Sequence, residues 1–301
     1  ATATVLLGTL YPLVLDTLGA GKISVVPHYL NTTFVPLMVP LFVAVPVGSM
    51  LAWKRGDLPT VLRRVGWAAG ATALVLAAVL ALTDHRSLVA LIGYGMGAWL
   101  VLGSVTELVT RIGLFQLGLA RVRQRLAGLP RSAWAMLVAH AGLGILIIGI
   151  TATATGQTER ILTLRPGQTV ELAGYELRFE GVTQVPGPNY TAQRGTFSVL
   201  DEGELVTTVA SEKRLFPVEG QPVTKPGIDT TPLRDIYVVL GDPGEGDAWT
   251  VRLYHNPLVL WLWGGAAIMG LGGILSLTDR RFRVGAPVPA KARQTTATAN
   301  A

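Results

Sequence analysis

Long apolar runs broken by short polar turns fill the first half of the chain, and a period-two alternation of apolar and polar residues replaces them in the second. A helix that crosses a bilayer needs about 20 mostly apolar residues. Five segments meet that length: 33–53, 66–83, 88–109, 133–153 and 257–278. A sixth, partial run opens the chain around Thr4 to Leu15 and reads as a helix whose beginning is missing, since no initiator Met or basic stretch marks it as a signal peptide. Between 156 and 255 the pattern changes. Tyr175, Leu177 and Phe179 alternate with Glu176, Arg178 and Glu180, and Ile236, Val238 and Leu240, then Val251 and Leu253, repeat the alternation of strands. Turn chemistry at Arg165-Pro166-Gly167, Val185-Pro186-Gly187-Pro188-Asn189, Asp201-Glu202-Gly203 and Gly241-Asp242-Pro243-Gly244 punctuates them. The expected fold is therefore a membrane all-α polytopic bundle of about six transmembrane helices with an inserted small external β-barrel or sandwich of about six or seven strands.

Composition supports the membrane reading. Half of the 301 residues are apolar, 15% are charged and the mean hydropathy is +0.46, whereas charge in a soluble domain approaches a quarter. The net charge of +6 would suit a nucleic-acid binder, but its distribution points elsewhere. Threading the spans alternately puts Lys54, Arg55, Arg63, Arg64, Arg111, Arg121, Arg123, Arg125, Arg131, Arg280, Arg281 and Arg283 on one side, which the positive-inside rule makes the cytoplasm. The stretch from 156 to 256, with 14 acidic and 9 basic side chains, falls on the other. The basic excess thus reads as orientation, with no nucleic-acid partner. The expected layout is transmembrane helices over 1–155, a periplasmic β domain over 156–255, a last span over 256–278 and a partly disordered cytoplasmic tail over 279–301. The acid-free stretch 111–131 reads as an interfacial helix lying on membrane lipid.

The chain has no cysteine, so disulfides, iron–sulfur clusters and dithiol chemistry are excluded, and redox work would need a bound cofactor. No nucleotide-binding or hydrolase motif is present. His140 stands out because it lies inside an apolar span, where an ionisable group is costly and needs a reason. It is either a neutral imidazole bonded to another helix or an axial ligand to a haem, for which Ala139, Gly142 and Gly144 would leave room beside it for a macrocycle or a close helix. His28, His85 and His255 fall near the outer surface at spacings that match no zinc pattern. Glu107 and Arg111 are placed for an i,i+4 ion pair. Gly93 with Gly97, and Ala266 with Gly270, Gly272 and Gly273, are expected helix contacts. Trp261 and Trp263 are expected interfacial anchors.

Several strings resemble the carboxyl-terminal half of the CcmF (CycK) family of cytochrome c haem lyases: Leu7-Gly8-Thr9-Leu10-Tyr11-Pro12-Leu13, Lys22-Ile23-Ser24-Val25, Ala139-His140-Ala141-Gly142, Gly187-Pro188-Asn189-Tyr190, Glu212-Lys213-Arg214, Asp235-Ile236-Tyr237-Val238 and Asn256-Pro257-Leu258. Their order and spacing carry the resemblance over residues 1 to about 283. It implies that His140 ligates the iron of an intramembrane b-type haem, with quinol as electron donor, and that the trans ligand lies in the amino-terminal half of the lyase. It further implies an inner-membrane location and three partners: a haem chaperone of the CcmE type, apocytochrome c, and a CcmH-type protein that handles its thiols. His28 departs from the family pattern, where an apolar or aromatic residue is expected, and is held as a further candidate for a haem contact. Within the β domain, Glu212, Lys213, Arg214 and Asp235 are candidates for contacts to partners or haem propionates, against the alternative of surface salt bridges. The implied activity, haem ligation to apocytochrome c, requires the other half of the lyase. The competing reading is a non-catalytic membrane scaffold subunit of the maturation complex, with a transport subunit ranking below it.

Overall fold

The computed structural model describes residues 2–19, 27–51, 57–82, 87–218 and 220–279. Its helices are α1 (Thr2–Thr17), α2 (Pro27–Met50), α3 (Leu58–Leu82), α4 (Leu88–Ile112), α5 (Leu119–Ala127), α6 (Arg131–Gly156) and α7 (Val259–Leu277). Among the described residues α3, α4, α6 and α7 are long and apolar enough to cross a membrane, while the apolar part of α2, Val35–Met50, is shorter. The first run is helical, as expected. The acid-free stretch 111–131 is not one helix: α4 continues to Ile112, where Gly113 takes a left-handed φ of 68° and its N–H closes onto the Val109 carbonyl at 3.0 Å. Glycine adopts that conformation without strain and so ends the helix. Only α5 carries the expected basic helix, anchored by buried Val122. The tail beyond 279 and His85 lie outside the described residues.

The helices pack through glycine. A Cβ on Gly142 would stand 2.6 Å from the Met269 nitrogen, one on Gly149 2.6 Å from the Leu262 nitrogen, and one on Gly265 2.3 Å from the Leu146 nitrogen. Backbone therefore meets backbone between α6 and α7. On another face of α6, a Cβ on Gly144 would lie 2.7 Å from the Gly97 carbonyl, and one on Gly93 2.1 Å from the Thr151 hydroxyl. Gly93 and Gly97 do make the expected contact. On α7 the expectation holds at Gly272, where a Cβ would stand 2.7 Å from the Ala135 carbonyl, and fails at Gly270 and Gly273, which have open space beside them; Gly265 carries the rest of the seam.

The second half of the chain is a sandwich, which settles the barrel-or-sandwich alternative. One sheet has the order β1-β9-β8-β7 and the other β2-β3-β4-β5-β6, all neighbours antiparallel. The strands are β1 (Thr158–Leu164), β2 (Thr169–Leu172), β3 (Tyr175–Pro186), β4 (Thr191–Asp201), β5 (Glu204–Leu215), β6 (Pro222–Lys225), β7 (Gly227–Thr230), β8 (Arg234–Pro243) and β9 (Trp249–Pro257). Among the described residues nine strands replace the expected six or seven, since β2, β6 and β7 are only four residues long and carry too little alternation to be read. Leu177, Phe179, Phe197, Val199, Ile236, Val238, Leu240, Val251 and Leu253 form the core, with Phe179 and Phe197 stacked at 4.9 Å. Asp201-Glu202-Gly203 does form a tight hairpin, with φ of 49° and 85° at its two central residues. Gly241-Asp242-Pro243 does not turn the chain. It is an irregular stretch of β8, and the reversal comes at 244–248.

Strands β1 and β9 leave the sandwich side by side and continue into α6 and α7, so that end of the sandwich sits on the helices. Leu258 makes the corner in a left-handed conformation, φ 53°, that leucine adopts only under constraint. The constraint is visible: its N–H donates to the Leu233 carbonyl at 2.9 Å, the Thr153 hydroxyl donates to the Pro257 carbonyl at 3.1 Å, and the Trp261 indole donates to the Pro232 carbonyl at 2.8 Å.

Candidate functional site

His140 sits nine residues into α6, roughly 13 Å along its axis at 1.5 Å per residue, well inside the apolar span. Steps of 100° per residue put Gly144, Ile148 and Thr151 on the face toward α4 and Gly142 and Gly149 on the face toward α7. His140 falls at the edge of the α4 face, on a flank that neither helix covers, in line with Met136, Leu143 and Ile147. It is half-buried there, and its ring has no hydrogen-bond partner among the described residues. The glycines beside it do not leave a slot for a macrocycle, because α7 fills the space at Gly142 and α4 fills it at Gly144. The residues fit a haem only on the open flank, where one imidazole and an aliphatic surface are present.

Glu107 on α4 is 2% exposed and lies within electrostatic range of His140. Its Oε1 accepts from Arg111 Nε at 2.9 Å and Nη2 at 2.6 Å, the expected i,i+4 pair. Pairing at this depth keeps the carboxylate from standing as a bare buried charge. Among the described residues, no group of three or more His, Cys, Asp or Glu is arranged to hold a metal ion. His28 lies in the first turn of α2, and its side chain is outside the described residues.

The β-domain candidates separate into three places. Glu212, almost fully buried on β5, accepts from Arg194 and Arg214 on its two oxygens at 2.6–2.9 Å, and these bonds, Arg214's first, hold its carboxyl below the usual range. Arg214 also stacks over Tyr190 at 4.4 Å, and Tyr190 meets Phe216 at 5.3 Å, at the end of the sandwich far from the helices. Lys213 pairs with Asp242 of β8. Asp235 lies at the opposite, helix-proximal end, where burial pushes its carboxyl up and Oδ1 has no partner.

A second cluster at that end gave only a weak sequence signal. Arg234, 5% exposed, pairs with Asp229 and lies 4.7 Å above the Tyr175 ring. His255 is 6.2 Å from the same ring, with Nδ1 buried and unpartnered, and burial first and Arg234 second hold its imidazole below the ordinary value. Alternation puts Arg234 and His255 on the inner faces of β8 and β9, at positions a pattern reader assigns to core. The basic residue at an inward position was the available sign.

Comparison with known proteins places this geometry. Residues 155–257 match the family model described as the CcmF C-terminal beta-sandwich. The chain is 45% identical over 294 residues to the cytochrome c-type biogenesis protein CycK of Bradyrhizobium diazoefficiens, covering 98% of this chain and 44% of that protein. It is 35% identical over 285 residues to the cytochrome c-type biogenesis protein CcmF of Escherichia coli, covering 94% and 42%. A solved structure of the cytochrome c haem lyase CcmF shares the fold, with a TM-score of 0.68 at 21% identity over 92% of this chain and 43% of that one. The chain thus spans less than half the length of the curated relatives it matches.

Proposed function

The chain belongs to the CcmF and CycK family of cytochrome c-type biogenesis proteins and corresponds to its carboxyl-terminal part, and on that premise we propose that it is the carboxyl-terminal part of a membrane haem lyase that joins haem to apocytochrome c. In this reading His140 would hold the iron of an intramembrane b-type haem. The carrying observation is an ionisable side chain inside an apolar helix, half-buried on a flank between its two packed faces. When bound, the haem would supply reversible one-electron chemistry, with quinol as the electron donor. What this chain contributes is placement. The glycine seams with α4 and α7 fix the rotation of α6 and so the direction in which the imidazole points. The Glu107–Arg111 pair sets a compensated charge nearby.

The β sandwich belongs on the outer face of the inner membrane, opposite the arginine-rich turns, and the carboxyl terminus in the cytoplasm. There it would meet the haem chaperone of the CcmE type, apocytochrome c and its CcmH-type partner. Lys213, Arg214 and Asp235 remain candidates for these contacts. Both Glu212 oxygens are already engaged within the domain, which leaves it a supporting role.

The test is to co-express the chain with the amino-terminal half of the lyase, purify the complex in detergent and record reduced-minus-oxidised spectra. His140→Ala should remove the b-type signal while the complex still elutes intact. An unchanged signal would show that His140 is not a ligand, and a haem-free wild-type complex would favour a non-catalytic scaffold.

A further inference from the structure

The basic end of the bundle holds a cavity that the haem reading does not use. It lies between α3 and α4, has a volume of about 710 Å³, and is walled by Leu102, Val105, Val109 and Leu114. That volume is in the range of pockets that bury small ligands. Trp67 and Phe115, 80% and 87% exposed, also line it. Arg64 lines it on the α3 side. On the α4 side the lining passes through Gly113, and a Cβ there would come within 3.4 Å of Arg125 Nη1, so the Arg125 guanidinium rests against the cavity wall. Neither arginine has a carboxylate partner among the described residues, and the sequence from 112 to 158 contains no Asp or Glu to supply one. An apolar slot therefore opens between two uncompensated cations, at the end of the helices where aromatic side chains sit at interfacial depth.

We propose that this groove binds one anionic phospholipid, its acyl chain along the α4 wall and its phosphate between Arg64 and Arg125. The pairing of apolar wall and cationic rim is what selects a lipid. Free phosphate would leave the wall unused, and a zwitterionic lipid would leave the cations uncompensated. A neighbouring polypeptide would need acidic side chains on both sides of an apolar insert to match the same surface. Gly113 has a part in this, because any side chain at that position would meet Leu117 at 2.9 Å and crowd the arginine, besides straining a φ of 68°.

The full chain, purified in detergent and stripped of native lipid, is titrated with phosphatidylglycerol and phosphatidylcholine of matched acyl chains and examined by native mass spectrometry. One phosphatidylglycerol should be retained in preference to phosphatidylcholine. The double variant Arg64→Gln/Arg125→Gln should weaken that retention on the order of 30-fold, from about fivefold per arginine near a lipid headgroup. Val105→Trp, which fills the slot without changing charge, should weaken both lipids. Equal retention of the two lipids, no effect of the double variant, or displacement by inorganic phosphate would each overturn the proposal.

Discussion

A half-buried histidine can be reached by one proton or one ligand, and its surroundings decide which states are open to it. His255 shows the consequence for stability. Its imidazole is held below the ordinary value of about 6.5 by burial and by Arg234. A base whose folded value is depressed binds protons more readily when unfolded. Stability is therefore unaffected well above pH 6.5 and falls as pH drops from there toward the folded value. Asp235 shifts in the opposite sense, and its raised value offsets part of this loss on further acidification. We expect the melting temperature of the full chain to decline below about pH 6.5 and His255→Gln to flatten that decline. Equal slopes for wild type and variant would show that the imidazole titrates freely in the fold.

At the level of elements, α6 matters because its two glycine seams set which flank His140 occupies. The seams make a sharp contrast on α7. Gly265→Val must push against the Leu146 backbone, whereas Gly270→Val enters open space. We expect the first to cost about 1–3 kcal/mol as overpacking and the second to be nearly neutral, read as a shift in the thermal aggregation midpoint in detergent. The reverse order would place the seam on the Gly270 side of α7. This is also where legibility ends. The existence of small-residue seams is visible in Gly93, Gly97 and Gly142, but which neighbour fills each notch depends on helix rotation, which no local pattern encodes. The same limit applied to Gly144, whose missing side chain makes room for α4 rather than for a ligand. Strand faces fared better, because alternation of Leu177 and Phe179, or of Ile236, Val238 and Leu240, directly records which side is buried. The short strands β6 and β7 were invisible because they owe their conformation to pairing with β5 and β8 rather than to their own residues.

For the whole molecule, the open flank of α6 and the length of the relatives bear on the same question. A b-type haem would draw on the protein for its iron ligands, and the described residues offer one intramembrane imidazole, half-buried on a flank of α6. A haem resting there would touch protein on one side only. The chain spans about 44% of the length of CycK from Bradyrhizobium diazoefficiens, and under the proposed function the opposing wall would come from the amino-terminal half. Two results follow from adding haem to the purified chain alone. Binding should be weak and the spectrum should lack the sharp, low-spin bands of a six-coordinate site. Adding the amino-terminal half should produce those bands, and His140→Ala should abolish the gain. Thioether formation with an apocytochrome peptide should likewise require both polypeptides. A low-spin spectrum from the 301-residue chain by itself would mean that the second ligand is already within it, with His28 the first side chain to replace, and a thioether product would mean that ligation needs no second polypeptide.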